Sequence, residues 1–438
     1  MRVNLTKRAK VAASDGALAV GLGAASPALA APVPTVQVPC STGALSSAIS
    51  GAASGAVLRL ASSCTYVLDS ALPDVTSTLT LQAGTNTTIE RSYATGTPDF
   101  RLLTVGSGGN LTTTNVNFKN GSAVDYGGAI YGDDGPVSVT GGTFSGNYAG
   151  DDGGAIYNDS GLTVTGATFT DNSADSEGGA IIDEDPATIS GATFTGNTAV
   201  YGGALYNDYD TTVSNSTFTS NSTDTYGGAI ETDDNTTTLN KDSFLKNSSE
   251  YGGAIEVEDG ALAVNTGSFQ QNTASEEGGG IAAYNTMTLN NSTFNYNNGG
   301  SYGGGFYTDE PATVNGITLK GNTAADYGGG IYTDDDLTLT GGSFTNNTSE
   351  HGGGLYNEDV ATLSGATFQQ NSAYQGGGID EEGTSVTLNG SKVMYNHAPA
   401  GTGGGIYNND TVNLANTVVR FNTPNNCSPA LSVTGCTG

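Results

Sequence analysis

The chain has no tryptophan, two histidines, three methionines and only four cysteines in 438 residues. The cysteines, Cys40, Cys64, Cys427 and Cys436, stand at the two extremes, with no CxxC spacing and no histidine beside them. That arrangement argues against a zinc site and for two local disulfides, Cys40–Cys64 and Cys427–Cys436, in an exported chain. Charge is sparse at 13% of residues, and positive charge is sparser: 13 Lys and Arg oppose 43 Asp and Glu, a net charge of −30. Such a surface repels nucleic acid and anionic lipid, which excludes both as partners. No apolar run reaches the roughly 18 residues that span a bilayer. No linker-like break in composition interrupts residues 65–422, which excludes a string of unlike domains.

Four of the basic residues, Arg2, Lys7, Arg8 and Lys10, precede the weakly apolar stretch GALAVGLGAASPALA and the small-residue site Ala28-Leu29-Ala30. This reads as a cleaved export signal over residues 1–30, with a disordered tail as the alternative. The expected location is extracellular or on the cell surface. Without those four residues and Asp15, the mature chain keeps 42 acids against 9 bases.

Glycine supplies 66 residues, and it is ordered. A Gly-Gly pair followed by a small and then an apolar residue begins at Gly127, Gly153, Gly178, Gly202, Gly227, Gly252, Gly278, Gly303, Gly328, Gly352, Gly376 and Gly403, at spacings of 24 to 27. A second mark, Phe-x-x-Asn or a relative, ends 19 or 20 residues later, from Asn147 and Asn172 to Asn396 and Asn422. Two marks in phase over twelve copies exclude a merely biased composition and identify an array. Each copy holds three β-like stretches, such as Gly-Gly-Ala-Ile-Tyr from Gly153, Leu-Thr-Val-Thr from Leu162 and Ala-Thr-Phe-Thr from Ala167. Their alternation and their Thr and Val content are strand chemistry, and none is long enough for an amphipathic helix.

The expected fold is therefore all-β: a single-stranded, right-handed, three-sided parallel β-helix with about 25 residues per coil. In it, Ile130, Ile156, Ile181 and Leu205 point inward on one wall, the Phe column lines another, and the asparagines form a ladder. The glycine pairs allow positive φ or close approach between coils. Six copies read Gly-Gly-Ala and six Gly-Gly-Gly, a switch the pattern does not explain. Thr42 to Ser50 can form a short helix that places Leu45, Ala48 and Ile49 over the open core. The expected organisation is a leader over 1–30, an N-terminal cap over 31–66, the β-helix over 67–422 and a C-terminal disulfide cap over 423–438.

Gly-Gly-Ala-Ile paired with Phe-x-x-Asn resembles the double signature of the polymorphic outer membrane protein repeats of chlamydial autotransporters, over about residues 118–422. The segment from Cys40 to Gly109 also resembles the N-terminal region of actinobacterial secreted β-helix proteins. The chlamydial resemblance implies surface display and adhesion. No series of amphipathic ten-residue strands follows the repeats, so an outer-membrane barrel is not expected.

Chemistry is harder to find. Polysaccharide lyases and glycoside hydrolases use related folds, but they need converging carboxylates or a base beside calcium. After Lys119 the only bases are Lys241, Lys246, Lys320, Lys392 and Arg420, and near-constant coil length leaves no long insertion to wall a cleft. His351 and His397 stand in turns and are expected to face solvent. An enzyme of this kind is the alternative to a non-catalytic adhesive, binding or structural protein. Six residues after the first glycine, ten copies carry a carboxylate: Asp133, Asp159, Glu184, Asp208, Asp233, Glu258, Asp309, Asp334, Glu358 and Glu382. Tyr284 and Asn409 fill the other two places. Two readings compete for this file: a solvated turn where acids aid solubility, or a weak site for divalent cations, calcium first. No other cofactor is expected. The expected partner is an extracellular or cell-surface glycan or protein, met by a monomer.

Overall fold

The computed structural model describes residues 33–399, 402–429 and 433–436; the leader expected over 1–30 lies outside them. The described residues from Pro34 onward form one compact unit. It is an all-β parallel solenoid of about 16 turns with coils of about 25 residues. At ~4.8 Å per turn the rod is roughly 75 Å long.

One coil shows how the repeat folds. Ile156–Asn158, Leu162–Thr165, Thr168–Thr170 and Ser173–Ala174 are its strands. Three of these match the stretches read from the sequence. The fourth, two residues long, corrects that reading, because so short a strand leaves no alternation to detect. Each strand pairs in register with its counterparts in adjacent coils: Ile156 between Ile130 and Ile181, Val164 between Val139 and Ile189, Phe169 between Phe144 and Phe194. The strands assemble into sheets of 28, 14 and 7 strands. The 28-stranded sheet takes two strands from each coil, which fuse in Ala312–Lys320, Leu337–Thr345 and Val360–Gln369.

Stacking identical side chains fills the core. Phe118, Phe144, Phe169, Phe194, Phe218, Phe244, Phe269 and Phe294 are all fully buried, with neighbouring ring centroids 4.5 to 5.0 Å apart. The asparagines form the expected ladder. Asn172 Nδ2 donates to Asn197 Oδ1 at 2.9 Å and to the Phe144 carbonyl at 3.1 Å, while its Oδ1 accepts from Asn147 Nδ2 and from the Asn147 N–H. Every polar group of that buried amide is used, which is what makes it tolerable in a core. After Asn422 the last rung is Asn426, whose Oδ1 accepts from Asn422 at 3.1 Å.

The glycine pair has two separate reasons. Gly153 stands at φ +66°, and a Cβ on Gly154 would lie 2.2 Å from the Gly179 carbonyl of the next coil. The third glycine sits at a close approach between coils. A Cβ on Gly280 would stand 2.6 Å from the Gly305 carbonyl of the next coil, and one on Gly354 would stand 2.5 Å from the Gly378 carbonyl. The Phe column runs beside alanine and glycine copies alike, so it does not account for the switch.

The ends are irregular. Parallel pairing starts with Thr35–Val38 on Ala56–Leu60. Helix α1, Thr42–Ser50, buries Leu45 and Ile49 and stops at Gly51. Disulfide Cys40–Cys64 ties this end, with Cα atoms 5.7 Å apart, and Cys427–Cys436 ties the other. Among the described residues, no helix is long and apolar enough to cross a membrane.

Candidate functional site: a tyrosine and carboxylate strip

Three files run along the rod: one on the outer face of the 14-stranded sheet, one in the segments just before its strands, where the 7-stranded sheet ends, and one just after them. The strands of the 14-stranded sheet are only three residues long, so the middle residue faces outward and its neighbours face in. Tyr157 is such a middle residue, paired with Tyr131 and Ile182. The same file holds Tyr206, Tyr307, Tyr332, Tyr356 and Tyr407. A second file stands just before the glycine pairs, with Tyr201 stacked on Tyr226 and Tyr226 on Tyr251, and further on Tyr302 on Tyr327 and Tyr327 on His351. Both tyrosine files escaped the sequence reading, although their phase with the glycines would have revealed them.

The third file is the acidic one. The N–H of Asp159 donates to the Gly132 carbonyl, that of Glu184 to Asn158, that of Asp334 to Thr308 and that of Glu358 to Thr333. These bonds extend the strand ladder by one rung, so the residues from Asp133 to Glu382 stand one above another. Tyrosine hydroxyls hold several of them: Tyr131 donates to Asp133 at 3.3 Å, Tyr206 to Asp233 at 3.1 Å, and Tyr157 to Glu184. The gap at Tyr284 has a packing reason. The tyrosine file has Ala282 in that coil, and the Tyr284 ring packs beside it and against Tyr307, with its hydroxyl 2.5 Å from Glu277.

The file is most crowded from Asp309 to Glu358. The Asp309 and Asp334 side chains stand close enough to shift each other's titration, and Asp334 also meets Glu358. Burial pushes both aspartates above the usual carboxylate range; Asp334 raises Asp309 further, while for Asp334 the Asp309 contact lowers it and Glu358 raises it. Beside them, carboxylate oxygens of Asp335, Asp336 and Asp359 lie within 4.8 Å of one another. Elsewhere on the face, burial reinforced by neighbouring acids raises Asp208 to about 7, Asp152 to about 6 and Glu177 to about 8.

Further acids, unmarked by the sequence reading, sit deeper. Asp183 faces inward, fully buried, and burial lifts it to about 8 against the Thr211 hydroxyl bond that lowers it. Glu231 and Glu256 replace tyrosine in two adjacent coils, in register and almost fully buried. His351 departs from the expectation of a solvent-facing turn. Its Nδ1 lies 3.2 Å from Asp380 Oδ2, its side chain is 25% exposed, and the bond to Asp380 raises its pKa. The parallel stacking that makes the tyrosine file also draws His351 onto the Tyr327 ring. His397 is exposed, as expected.

Residues 59–256 match the profile of the periplasmic copper-binding protein NosD, and residues 316–334 match the Chlamydia polymorphic membrane protein repeat. No curated protein and no solved structure matches the chain. By its repeat the chain is thus similar to the chlamydial polymorphic membrane proteins, and over its N-terminal coils it is similar to NosD.

Proposed function

We propose that the chain is a non-catalytic, exported binding rod of the cell surface or periplasm. Its ligand face in this reading is the tyrosine and carboxylate strip, where weakly held divalent cations, calcium above all, bridge the rod to an acidic or hydroxyl-rich surface polymer. The observation that carries the reading is the contact of Asp309, Asp334 and Glu358 beside the Asp335, Asp336 and Asp359 cluster. Like charges held this close need protons or cations between them. The winding we read as right-handed and the coil as three-sided, on the twist of strands and crossovers.

Copper fits these residues poorly. It favours imidazole, thiolate and thioether ligands. All four cysteines are in disulfides, and His351 and His397 stand on different files. An all-oxygen cluster suits calcium. The polysaccharide lyase or hydrolase reading gains only the Glu231 and Glu256 pair; carboxylates strung along a rod do not converge on one bond. The test is an array of glycans and extracellular proteins probed with the mature chain. Binding is expected in millimolar calcium and is expected to fall by about tenfold, or ~1.4 kcal/mol, in chelator. Equal binding in both conditions would separate the strip from recognition, and no binding in either would remove the adhesive reading.

A further inference from the structure

A second site lies away from the strip, at the bend between the two strands that each coil gives to the 28-stranded sheet. In regular coils this bend takes two residues, as with Gly141 and Gly142 between Val137–Thr140 and Thr143–Ser145. In the coil of Thr78–Gln82 and Thr88–Arg91 it takes five, residues 83–87. The longer loop stands out and walls one end of an open groove of about 630 Å³. Near-constant coil length had argued against any walled cleft; this loop makes one without lengthening the repeats themselves.

The lining is uncharged and polar: Asn86 and Thr85 on the wall, Asn115, Asn117, Thr143 and Thr168 along the bend. Asn117 Oδ1 accepts from the Thr143 N–H at 3.0 Å. Among the described residues, the Asn86 and Asn115 amides and the Thr85, Thr143 and Thr168 hydroxyls have no protein partner, so they face whatever fills the groove. The floor is kept open by glycine. A Cβ on Gly141 would strike Asn115 Oδ1 at 2.3 Å, and nothing lies within 4 Å of one on Gly166.

We infer that this groove binds a neutral oligosaccharide of two or three sugar units. Amides and hydroxyls supply donors and acceptors in equal measure, which matches sugar hydroxyls, each both donor and acceptor. The volume falls in the range of about 300–1,000 Å³ usual for small-ligand sites. An anionic ligand finds no cation in the lining and is repelled by a net charge of −30. A peptide finds no apolar shelf, since Ala83 is the one apolar side chain there. With no aromatic platform the affinity is weak, with Kd on the order of 1 mM.

Titration calorimetry of the full mature chain with cellotriose, maltotriose and N-acetylchitotriose tests this. At least one should bind saturably. Asn86 and Asn115 both stand at positive φ, +53° and +54°, which glycine adopts freely. The double variant N86G/N115G therefore removes both amides without straining the turns, and should weaken binding by about tenfold or more with an unchanged melting temperature. Thr85→Trp, on the exposed loop, should block the groove without touching the sheets and give the same loss. Failure of all three sugars to bind, or binding that survives both variants, would overturn the inference. Loss of binding on Tyr332→Ala but in neither groove variant would assign the sugar to the tyrosine strip instead.

Discussion

Asn272→Ala is expected to destabilise the central coils by roughly 3–5 kcal/mol. Asn272 Oδ1 accepts from the N–H of Asn247 at 2.9 Å and from its Nδ2 at 3.0 Å, while Asn272 Nδ2 donates to Asn297 Oδ1 and to the Phe244 carbonyl, each at 3.1 Å. All three asparagines are buried. Truncation to alanine leaves the Asn247 N–H and other groups unpaired where no water reaches, at about 1–3 kcal/mol each. In a stacked array the loss falls mainly on neighbouring coils, so hydrogen exchange should quicken most between residues 247 and 297. Thr163→Ala, on the exposed side of the same kind of coil, should change stability by no more than about 0.5 kcal/mol. Similar melting curves for both variants would remove the ladder from the account of stability.

The second large effect is on pH. The carboxyls of Asp152 and Asp242 are raised to about 6, those of Asp208 and Glu381 to about 7, and those of Glu177 and Asp183 to about 8, in each case first by burial. A raised carboxyl means that the folded chain holds protons the unfolded chain has released. Its stabilising contribution is complete below pH ~4 and is lost as pH rises through the folded values, between pH 6 and 8. The rod should therefore melt at a higher temperature at pH 5 than at pH 8.5, opposite to a protein held by ionised salt bridges. Asp183 separates the buried contribution from repulsion on the surface. Its counterparts above and below are Asn158 and Asn207. Asp183→Asn should stabilise by about 2–4 kcal/mol at pH 8.5 and by much less at pH 5. A melting temperature that rises from pH 5 to 8.5, or an equal gain from Asp183→Asn at both, would contradict this linkage.

The coil was legible because its features recur. Twelve in-phase copies of one mark, nine of them Phe-x-x-Asn and three with Leu319, Val393 or Val419 in place of Phe, announce a Phe column and an Asn ladder, since a side chain repeated at the coil period must stack on itself. The cysteine pairing was legible because the two pairs lie at opposite ends of a rod. Features that depend on facing or on a single coil were not. Ser173–Ala174 is too short to show a strand period. Asp183 looks like any turn acid until its inward face is known. The acidic file could be written down by counting from the glycines, but the tyrosines that donate to it were read only as strand residues. The close approach of the third glycines to the next coil needed the stacked backbones to be seen, and the groove needed a bend of five residues in one coil.

The central claim is that the acidic file holds cations rather than merely solvating a turn. Thermal melting at pH 8.5 tests it most directly. A cation bound only by the folded rod stabilises it by mass action, ~2.7 kcal/mol at a hundredfold excess over Kd. Millimolar calcium is therefore expected to raise the melting temperature by more than sodium chloride of equal ionic strength, and Asp334→Asn with Asp359→Asn to erase that excess. Equal shifts from both salts in the unaltered chain would leave only screening and contradict the account.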